Sequence, residues 1–532
     1  MAKRRTDEQK VKLAYSLVFF IIAVFCSGAI IANMAITMFV ERSYWQEVSD
    51  YSIDWDVKIP ARRGNILSDE GMLLSSSIPQ YMIHFDFKSY ERKTEDKKKD
   101  QAKKDSLFVN YIDPFVDNVV SLFPQYTRQQ LLSYYREKFE ARSSYCPLLP
   151  SGRPISYNQY NDLKDNEWLK RSYNNWFYSC EERVSRQKPY GKLASRTIGD
   201  LYGVLDSAKN GIELSYDSLL RGKPGIGHQE KIKGVTRIIT DVPQVDGCDV
   251  VTTLNVEMQD IVERALHKEL TNLNAASGVA MVMEVKTGDI KAIASLTRLN
   301  DGSFMEIQNN AVKELFEPGS TFKTMSMMVG MDEGKIVMDE PVYCHKGAYN
   351  GFSARQVMYD HNYRRGGYDT LTTTEILMYS SNIGIAKLIH RGYKDNPQAF
   401  VDAVKRTGID SHFTMQLIGT AAPVINRDGY WDATRLPWMS TGYNLQLPVI
   451  NTLAFYNAIA NDGKMVEPRL IREVRRADEV VEEIPVRVVN DKICKESTLK
   501  DVQYMLEKVV SEGLAKQAGS KYFKSAGKTG TA

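Results

Sequence analysis

Ser320 and Lys323 stand three residues apart in Glu317-Pro318-Gly319-Ser320-Thr321-Phe322-Lys323, and on a helix that spacing puts a hydroxyl and an amine on one face. Such a pair can carry out acyl transfer: a neutral amine takes the proton while the oxygen attacks a carbonyl. Pro318 and Gly319 turn the chain into the helix, so Ser320 falls in its first turn. Free N–H groups and the positive end of the helix dipole favour a developing anion there. Met325, Met328 and Val329 continue the helix as an apolar stripe.

The same S-x-x-K spacing recurs at Ser185, Ser497 and Ser525, and context separates these from Ser320. Arg186-Gln187-Lys188-Pro189 does not continue a helix after Ser185. Ser497 opens a plain amphipathic helix and is expected to cap it. Ser525 belongs to an extended run of small residues, Ser525-Ala526-Gly527-Lys528-Thr529-Gly530-Thr531-Ala532, which reads as a strand whose backbone a ligand can approach closely. That run carries one of two K-T-G triplets; the other, Lys286-Thr287-Gly288, reads as a hairpin turn. S-x-N occurs at Ser156, Ser172 and Ser380, and the first two lie upstream in an irregular region. Ser380-Ser381-Asn382 falls at a junction of two helical patterns, where a serine and an amide can face a cleft or cap the second helix. In chain order the set is therefore Ser320/Lys323, Ser380/Asn382 and Lys528/Thr529/Gly530, the order of the serine acyl-transfer motifs.

Other chemistries are poorly supplied. The seven histidines show no H-E-x-x-H or similar spacing, so no metal is expected. Gly527-Lys528-Thr529 echoes a phosphate loop, but position 522 is Tyr rather than the required Gly. Six cysteines are scattered without a C-x-x-C pair; Cys146 with Cys180 is a conceivable disulfide, and unpaired buried thiols are the expected state for most.

The elements that must position these residues follow from pattern. Asn255 caps a helical run through Val256, Ile261, Ala265, Leu266 and Leu270; Ala280–Val285 and Ile290–Ser295 then read as a hairpin. Longer helices follow Ser320, Leu371 and Leu499. This order suggests a mixed α+β domain whose sheet draws on both ends of the chain.

The 532 residues include 43 % apolar and 25 % charged side chains, and the net charge is +3. Those values fit a globular chain of several domains and exclude a disordered tail, a small disulfide scaffold and a dedicated nucleic-acid binder. Leu13 to Val40 is free of charge over 28 residues, long enough to cross a bilayer and too long for a signal-peptide core. Lys3, Arg4, Arg5, Lys10 and Lys12 precede it, which keeps the N-terminus cytoplasmic and sends the rest across the membrane. The charge run Glu91–Asp105 reads as a solvated face.

With these residues in hand the chain resembles the class B penicillin-binding proteins, the monofunctional peptidoglycan transpeptidases. Arg63-Gly64-Asn65-Ile66, Arg196-Thr197-Ile198-Gly199, Gly211-Ile212-Glu213 and Leu220 to Gly225 match the family's pedestal region. Gly442-Tyr443-Asn444-Leu445-Gln446 and Phe455-Tyr456-Asn457-Ala458 look more like the cell-division member than the elongation member. Ser68-Asp69-Glu70-Gly71 departs from the family's usual Asp-Arg-Asn/Asp-Gly. The resemblance implies a cytoplasmic tail over 1–12, an anchor over 13–40, an elongated pedestal (dimerisation-type) domain over 41–245 and a penicillin-binding/serine β-lactamase-like transpeptidase domain over 246–532. It implies Ser320, Lys323, Ser380 and Lys528 as catalytic residues, with Asn382, Thr529, Gly530 and Thr531 binding substrate. The backbone N–H groups of Ser320 and Thr531 would form the oxyanion hole. No cofactor is implied. The implied partners are stem peptides, β-lactams, a membrane glycosyltransferase of the shape-elongation-division-sporulation class and other division proteins, with no nucleic acid. The implied place is the bacterial inner membrane, with the catalytic domain outside the cytoplasm.

Three other readings fit the residues less well. A β-lactamase of class A would carry E-x-x-L-N, and a bifunctional enzyme E-D-x-x-F; the chain has neither. A non-catalytic division scaffold or β-lactam sensor would not need all three motifs intact. In the family the chain continues past the third motif with further strands and a helix. Here it stops two residues after Gly530, so a domain truncated at its C-terminus is expected.

Overall fold

The computed structural model describes residues 7–45, 53–88, 94–174, 178–203, 207–232, 235–426 and 429–531. Lys3, Arg4 and Arg5 of the expected cytoplasmic tail, and Glu91–Lys93 of the charge run, lie outside them. The fold is mixed α+β, and two compact units divide it: residues 1–62 with 221–247, and residues 63–220 with 248–532.

The first unit begins with helix Asp7–Ala35, prolonged by one wide π-type turn over Ile36–Val40. Within it Lys10–Val40 is a 31-residue stretch of mean hydropathy 2.4 with no residue buried. At 1.5 Å per residue it exceeds the roughly 30 Å bilayer core, which satisfies the length condition for a span. The unit also holds a three-stranded antiparallel sheet, with Gly225–Ile232 between Ile53–Ile59 and Val235–Val242. Asp56, at φ 61°, marks a bulge in the first strand, which throws the register between Asp54 and Val57.

The second unit has two hydrophobic cores. The smaller gathers Phe85, Phe115, Tyr135 and Trp168 between the long strand Leu73–Phe85 and helices Thr94–Leu122, Arg128–Glu140 and Glu167–Asn174. Phe85 stacks on Trp168 with ring centroids 4.6 Å apart. The larger core surrounds helix Lys323–Asp332, in which Lys323 through Gly330 are all buried. Helices Asn382–Tyr393, Pro397–Arg406 and Glu496–Ser511 pack against it.

A sheet joins distant parts of the chain in this unit. Strand Asp249–Thr252 runs parallel to Ile66–Leu67 on one side and antiparallel to Ile471–Arg476 on the other. Thr253 fastens the junction by donating its hydroxyl to Ile290 O at 2.8 Å. Beside it, Gly64 admits no side chain, because a Cβ there would lie 2.0 Å from Cys248 O. Arg63 and Arg186 close on the fully buried Glu213 at 2.8 and 2.7 Å, and Ser75 Oγ donates to the same carboxylate at 3.0 Å. Burying that carboxylate is tolerable only because cations and a hydroxyl surround it.

The capped helix and the hairpin form as the pattern predicts. Asn255 accepts from Met258 N at 3.0 Å and opens Val256–Asn272, and Ser277–Met283 pairs antiparallel with Ile290–Arg298. Three expectations need correction or closure. Ser497 does not cap its helix: the cap is Lys495, whose N–H donates to Asp332 Oδ1 at 2.6 Å, so a tertiary partner starts the helix two residues earlier. Ser525–Thr531 forms no strand; its backbone tie is Gly527 N to Leu506 O at 3.2 Å, and extended backbone without a paired neighbour is no ladder. All six cysteines are free, and four of them are buried.

Candidate active site

Gly319 and Gly442 set the turn that carries Ser320. Gly442, at φ 93°, lies so close that a Cβ would meet Gly319 O at 2.1 Å, and Gly319 N donates to Gly442 O at 3.1 Å. Ser320 therefore sits in a short 3-10 turn, Gly319–Phe322, that runs directly into helix Lys323–Asp332. Tyr456 pins this turn, donating to Thr321 O at 2.8 Å and sharing a 2.9 Å hydrogen bond with Thr324 Oγ1. The Ser320 side chain is half-buried and makes no hydrogen bond among the described residues.

Lys323 is fully buried. Its Nζ donates to Ser380 O at 2.6 Å and to Ser380 Oγ at 3.2 Å. Lys528 Nζ reaches the same Ser380 Oγ at 2.8 Å and also bonds Thr529 O at 2.9 Å. Two amines thus converge on one hydroxyl, and two ammonium groups so placed repel. Burial holds the Lys323 pKa well below the usual lysine range, the Lys528 charge pushes it further down, and the Asp360 carboxylate opposes both. Burial brings Lys528 down to about 8. At neutral pH the arrangement favours a neutral Lys323 beside a charged Lys528, the state a general base requires.

Ser380 adopts φ 54°, a left-handed conformation that turns its side chain out of the helical run. Ser381, not Ser380, caps helix Asn382–Tyr393 by accepting from Gly384 N at 3.0 Å. The two serines so divide the alternatives left open by the sequence. Asn382 starts that helix and donates its Nδ2 to Tyr359 O at 2.7 Å, which leaves Oδ1 with no partner among the described residues. Thr531 is reached through Tyr443, whose hydroxyl donates to Thr531 O at 3.3 Å. Gly530 passes against the turn that carries Ser320, since a Cβ there would lie 3.0 Å from Thr321 Cγ2.

The discarded motifs have structural tasks. Ser156 caps helix Tyr157–Lys164 in a box with Gln159, Ser185 lies in strand Tyr178–Gln187, and Lys286-Thr287-Gly288 is the hairpin turn.

Asp360 is the residue that sequence reasoning missed. It is 1 % exposed and accepts from Ser381 Oγ at 2.8 Å, Asn382 N at 2.6 Å and Ile383 N at 3.1 Å. It thereby holds the start of helix Asn382–Tyr393, which follows Ser380, and places a negative charge near Lys323. A lone aspartate between turn residues, more than twenty positions upstream, carries no sequence signal for this role. No group of metal-ligating side chains assembles among the described residues.

Residues 58–252 match the model of the penicillin-binding protein dimerisation domain, and residues 278–532 match that of the penicillin-binding protein transpeptidase domain. The chain belongs to the class B penicillin-binding proteins. It is 28 % identical over 385 residues to penicillin-binding protein PbpB of Mycobacterium tuberculosis, covering 66 % of this chain and 53 % of that protein. It is 25 % identical to stage V sporulation protein D of Bacillus subtilis, covering 74 % and 60 %. It is 26 % identical to peptidoglycan D,D-transpeptidase FtsI of Escherichia coli, covering 66 % and 57 %. The chain thus spans between about half and three-fifths of the length of these relatives. Among solved structures, penicillin binding protein 2X of Streptococcus thermophilus shares the fold with a TM-score of 0.67 at 19 % identity, covering 85 % of this chain and 66 % of that one. Penicillin binding protein 3 of Mycobacterium tuberculosis, in its apo form, gives a TM-score of 0.60 at 21 % identity, covering 90 % and 82 %.

Proposed function

We propose that this chain is a serine-type D-Ala-D-Ala transpeptidase that crosslinks peptidoglycan stem peptides. The observation that carries the reading is the fully buried Lys323 amine, held together with Lys528 on the Ser380 hydroxyl and one residue beyond the turn that carries Ser320. Ser320 Oγ attacks the carbonyl between the two terminal D-alanines, and neutral Lys323 takes its proton. The backbone N–H groups of Ser320 and Thr531 steady the oxyanion. Ser380 passes a proton to the leaving nitrogen, the C–N bond breaks, and free D-alanine departs. Lys528, Thr529 and Thr531 hold the departing carboxylate, Gly530 lets the donor backbone lie close, and Asn382 holds the peptide amide. An amine from a second stem then attacks the ester; its C–O bond breaks, an amide forms, and Ser320 regains a proton. A β-lactam opens its ring on the same oxygen and leaves slowly.

The apolar helix anchors the chain once in the inner membrane, with the N-terminus cytoplasmic and residues beyond Val40 outside. Residues 41–245 serve as the pedestal and 246–532 as the catalytic domain. The likeness of residues 442–446 and 455–458 to the family's cell-division member supports a septal role, in which the chain would work alongside a membrane glycosyltransferase and other division proteins. Labelling with a fluorescent penicillin tests the chemistry: the native chain takes up the label and Ser320→Ala takes up none. Undiminished labelling of Ser320→Ala would refute the assignment.

A further inference from the structure

Between helix Lys323–Asp332 and helix Thr373–Met378 the chain makes a lobe over residues 343–369, centred on a hairpin of Ala348–Ser353 with Gln356–Tyr359. Met358 turns inward at 2 % exposure, so its neighbours Val357 and Tyr359 turn outward, as strand alternation requires. Tyr359 is 45 % exposed, and Tyr363, in the 3-10 turn Tyr363–Arg365, lies against it with ring centroids 4.4 Å apart. That turn is fixed by Gly347, where a Cβ would lie 2.9 Å from the Tyr363 Cα. Arg364 Nε donates to the Tyr363 hydroxyl at 2.7 Å. Two tyrosine rings are thus held side by side at the surface.

The lobe also carries charge of one sign. Lys346, Arg355, Arg364 and Arg365 are all exposed, and none has an ion-pair partner among the described residues. Its two carboxylates do not balance them. Asp360 is buried and engaged by Ser381, Asn382 and Ile383, which leaves Asp369 as the exposed one. Clustered cations without partners make a field that draws anions. The lobe meets the candidate site directly, because Tyr359 O accepts from Asn382 Nδ2 at 2.7 Å. Burial lowers the His361 pKa against the pull of Asp360, and the charges of Lys323 and Lys528 lower it further, so this ring stands within their reach.

The occupant follows on the reading given under Proposed function. A stem peptide that ends at Ser320 is attached at its other end to a saccharide chain. Five extended residues span about 17 Å, so the sugars of a bound strand lie within that distance of the site. The lobe begins beside Asn382, the residue that holds the peptide amide. Sugar rings present flat faces of C–H bonds that lie well on aromatic rings, and tyrosine adds a hydroxyl for the polar edge. The stems along a strand carry free carboxylates, which suit a guanidinium fork. Rings and unpaired cations together fit an anionic glycan.

We propose that the 343–369 lobe is a glycan-binding platform, on which Tyr359 and Tyr363 stack the saccharide rings of a peptidoglycan strand while Arg355 and Arg365 hold the carboxylates of its stems. No covalent step takes place there. The platform raises affinity for polymer and leaves the reaction of small acyl donors at Ser320 as it is.

The test is co-sedimentation of the full chain, in detergent, with purified sacculi, followed by titration with three soluble probes. These are peptide-bearing glycan strands, strands stripped of peptide by an amidase, and free stem pentapeptide. Tyr359→Ala is expected to weaken binding of both kinds of strand about tenfold, the scale of one lost aromatic contact, and Tyr359→Trp to restore it. Binding of the free pentapeptide should not respond to Tyr359→Ala. The second variant joins Arg355→Glu to Arg365→Glu. It should weaken binding of peptide-bearing strands about tenfold and of stripped strands less, while labelling of Ser320 by a fluorescent penicillin stays as in the native chain. Native-like sedimentation of both variants, or an equal loss for strand and pentapeptide in Tyr359→Ala, would overturn the platform. A native chain that is labelled at Ser320 but does not sediment with sacculi would overturn it alone. A native chain that takes up no penicillin at Ser320 would instead count against the transpeptidase reading beneath it.

Discussion

The two halves of the candidate site are held very differently. Ser320 and Lys323 belong to a turn and helix wrapped by three other helices, pinned by Tyr456 and closed from behind by Gly442. The Lys528–Thr531 segment is a partly exposed loop, tied by Lys528 to Ser380, by Thr531 to Tyr443 and by Gly527 to Leu506. The difference teaches that proton chemistry and ligand capture place unlike demands on a fold. A base whose pKa depends on burial needs a dry, fixed pocket. A segment that lies along a peptide needs an open edge that the ligand itself can complete.

If that division is right, substitutions in the buried half should act on rate and those in the open half on binding and its pH limits. Lys323→Ala should lower the rate constant for acylation by a fluorescent penicillin by about 10³-fold, within the range for loss of a general base. A loss equal to that of Lys528→Ala, measured by stopped-flow labelling, would erase the distinction. Asp360→Asn should slow acylation about tenfold through its three hydrogen bonds to the Ser381–Ile383 segment. It should also move the acid limb of the pH–rate profile. The Asp360 carboxylate raises the Lys323 pKa, so removing its charge lowers that pKa and leaves more neutral amine at low pH. The limb must therefore shift downward; an unmoved limb would reduce Asp360 to scaffold.

The open half should set the alkaline limb. Lys528, with a pKa of about 8, loses its charge as pH rises through that value, and affinity for a carboxylate-bearing donor should fall above it. In Lys528→Arg the guanidinium stays charged, so the limb should move beyond pH of about 9. A limb that stays near 8 in this variant belongs to another group. The smallest effect is expected from Tyr443→Phe, which removes one 3.3 Å hydrogen bond. It should weaken donor binding about threefold, the worth of a single neutral hydrogen bond, with little change in saturated rate.

What was legible in the sequence follows the same division. The Ser320–Lys323 pair is local, so spacing alone brought the two groups together, but Ser320, expected in the first turn of the helix, sits in the 3-10 turn before it and Lys323 opens the helix. Ser380 and Asn382 were legible as residue types at a junction, but which serine caps and which faces the lysines depends on a positive φ that no spacing reveals. Asp360 was illegible because its partners lie 21 to 23 residues away. The strand expected at Ser525–Thr531 failed for a related reason: small residues permit extension, but a ladder needs a neighbour. The sheet expected from the hairpin and a late strand is not built: Ser277–Met283, Ile290–Arg298 and Phe304–Met305 form a sheet of their own, and Asp249–Thr252 pairs instead with Ile66–Leu67 and Ile471–Arg476.

That sheet has a consequence for biogenesis. Strand Asp249–Thr252 lies between Ile66–Leu67 and Ile471–Arg476, so the second unit cannot close until its last partner has been made. At the usual 5–20 residues per second, the roughly 220 residues from Thr252 to Ile471 take about 10 to 45 seconds of synthesis. Throughout that interval one edge of Asp249–Thr252 waits unpaired, a surface open to wrong partners. On the proposed topology, a chain exported while this unit is incomplete would gain from a route that shields open strand edges until Ile471 arrives.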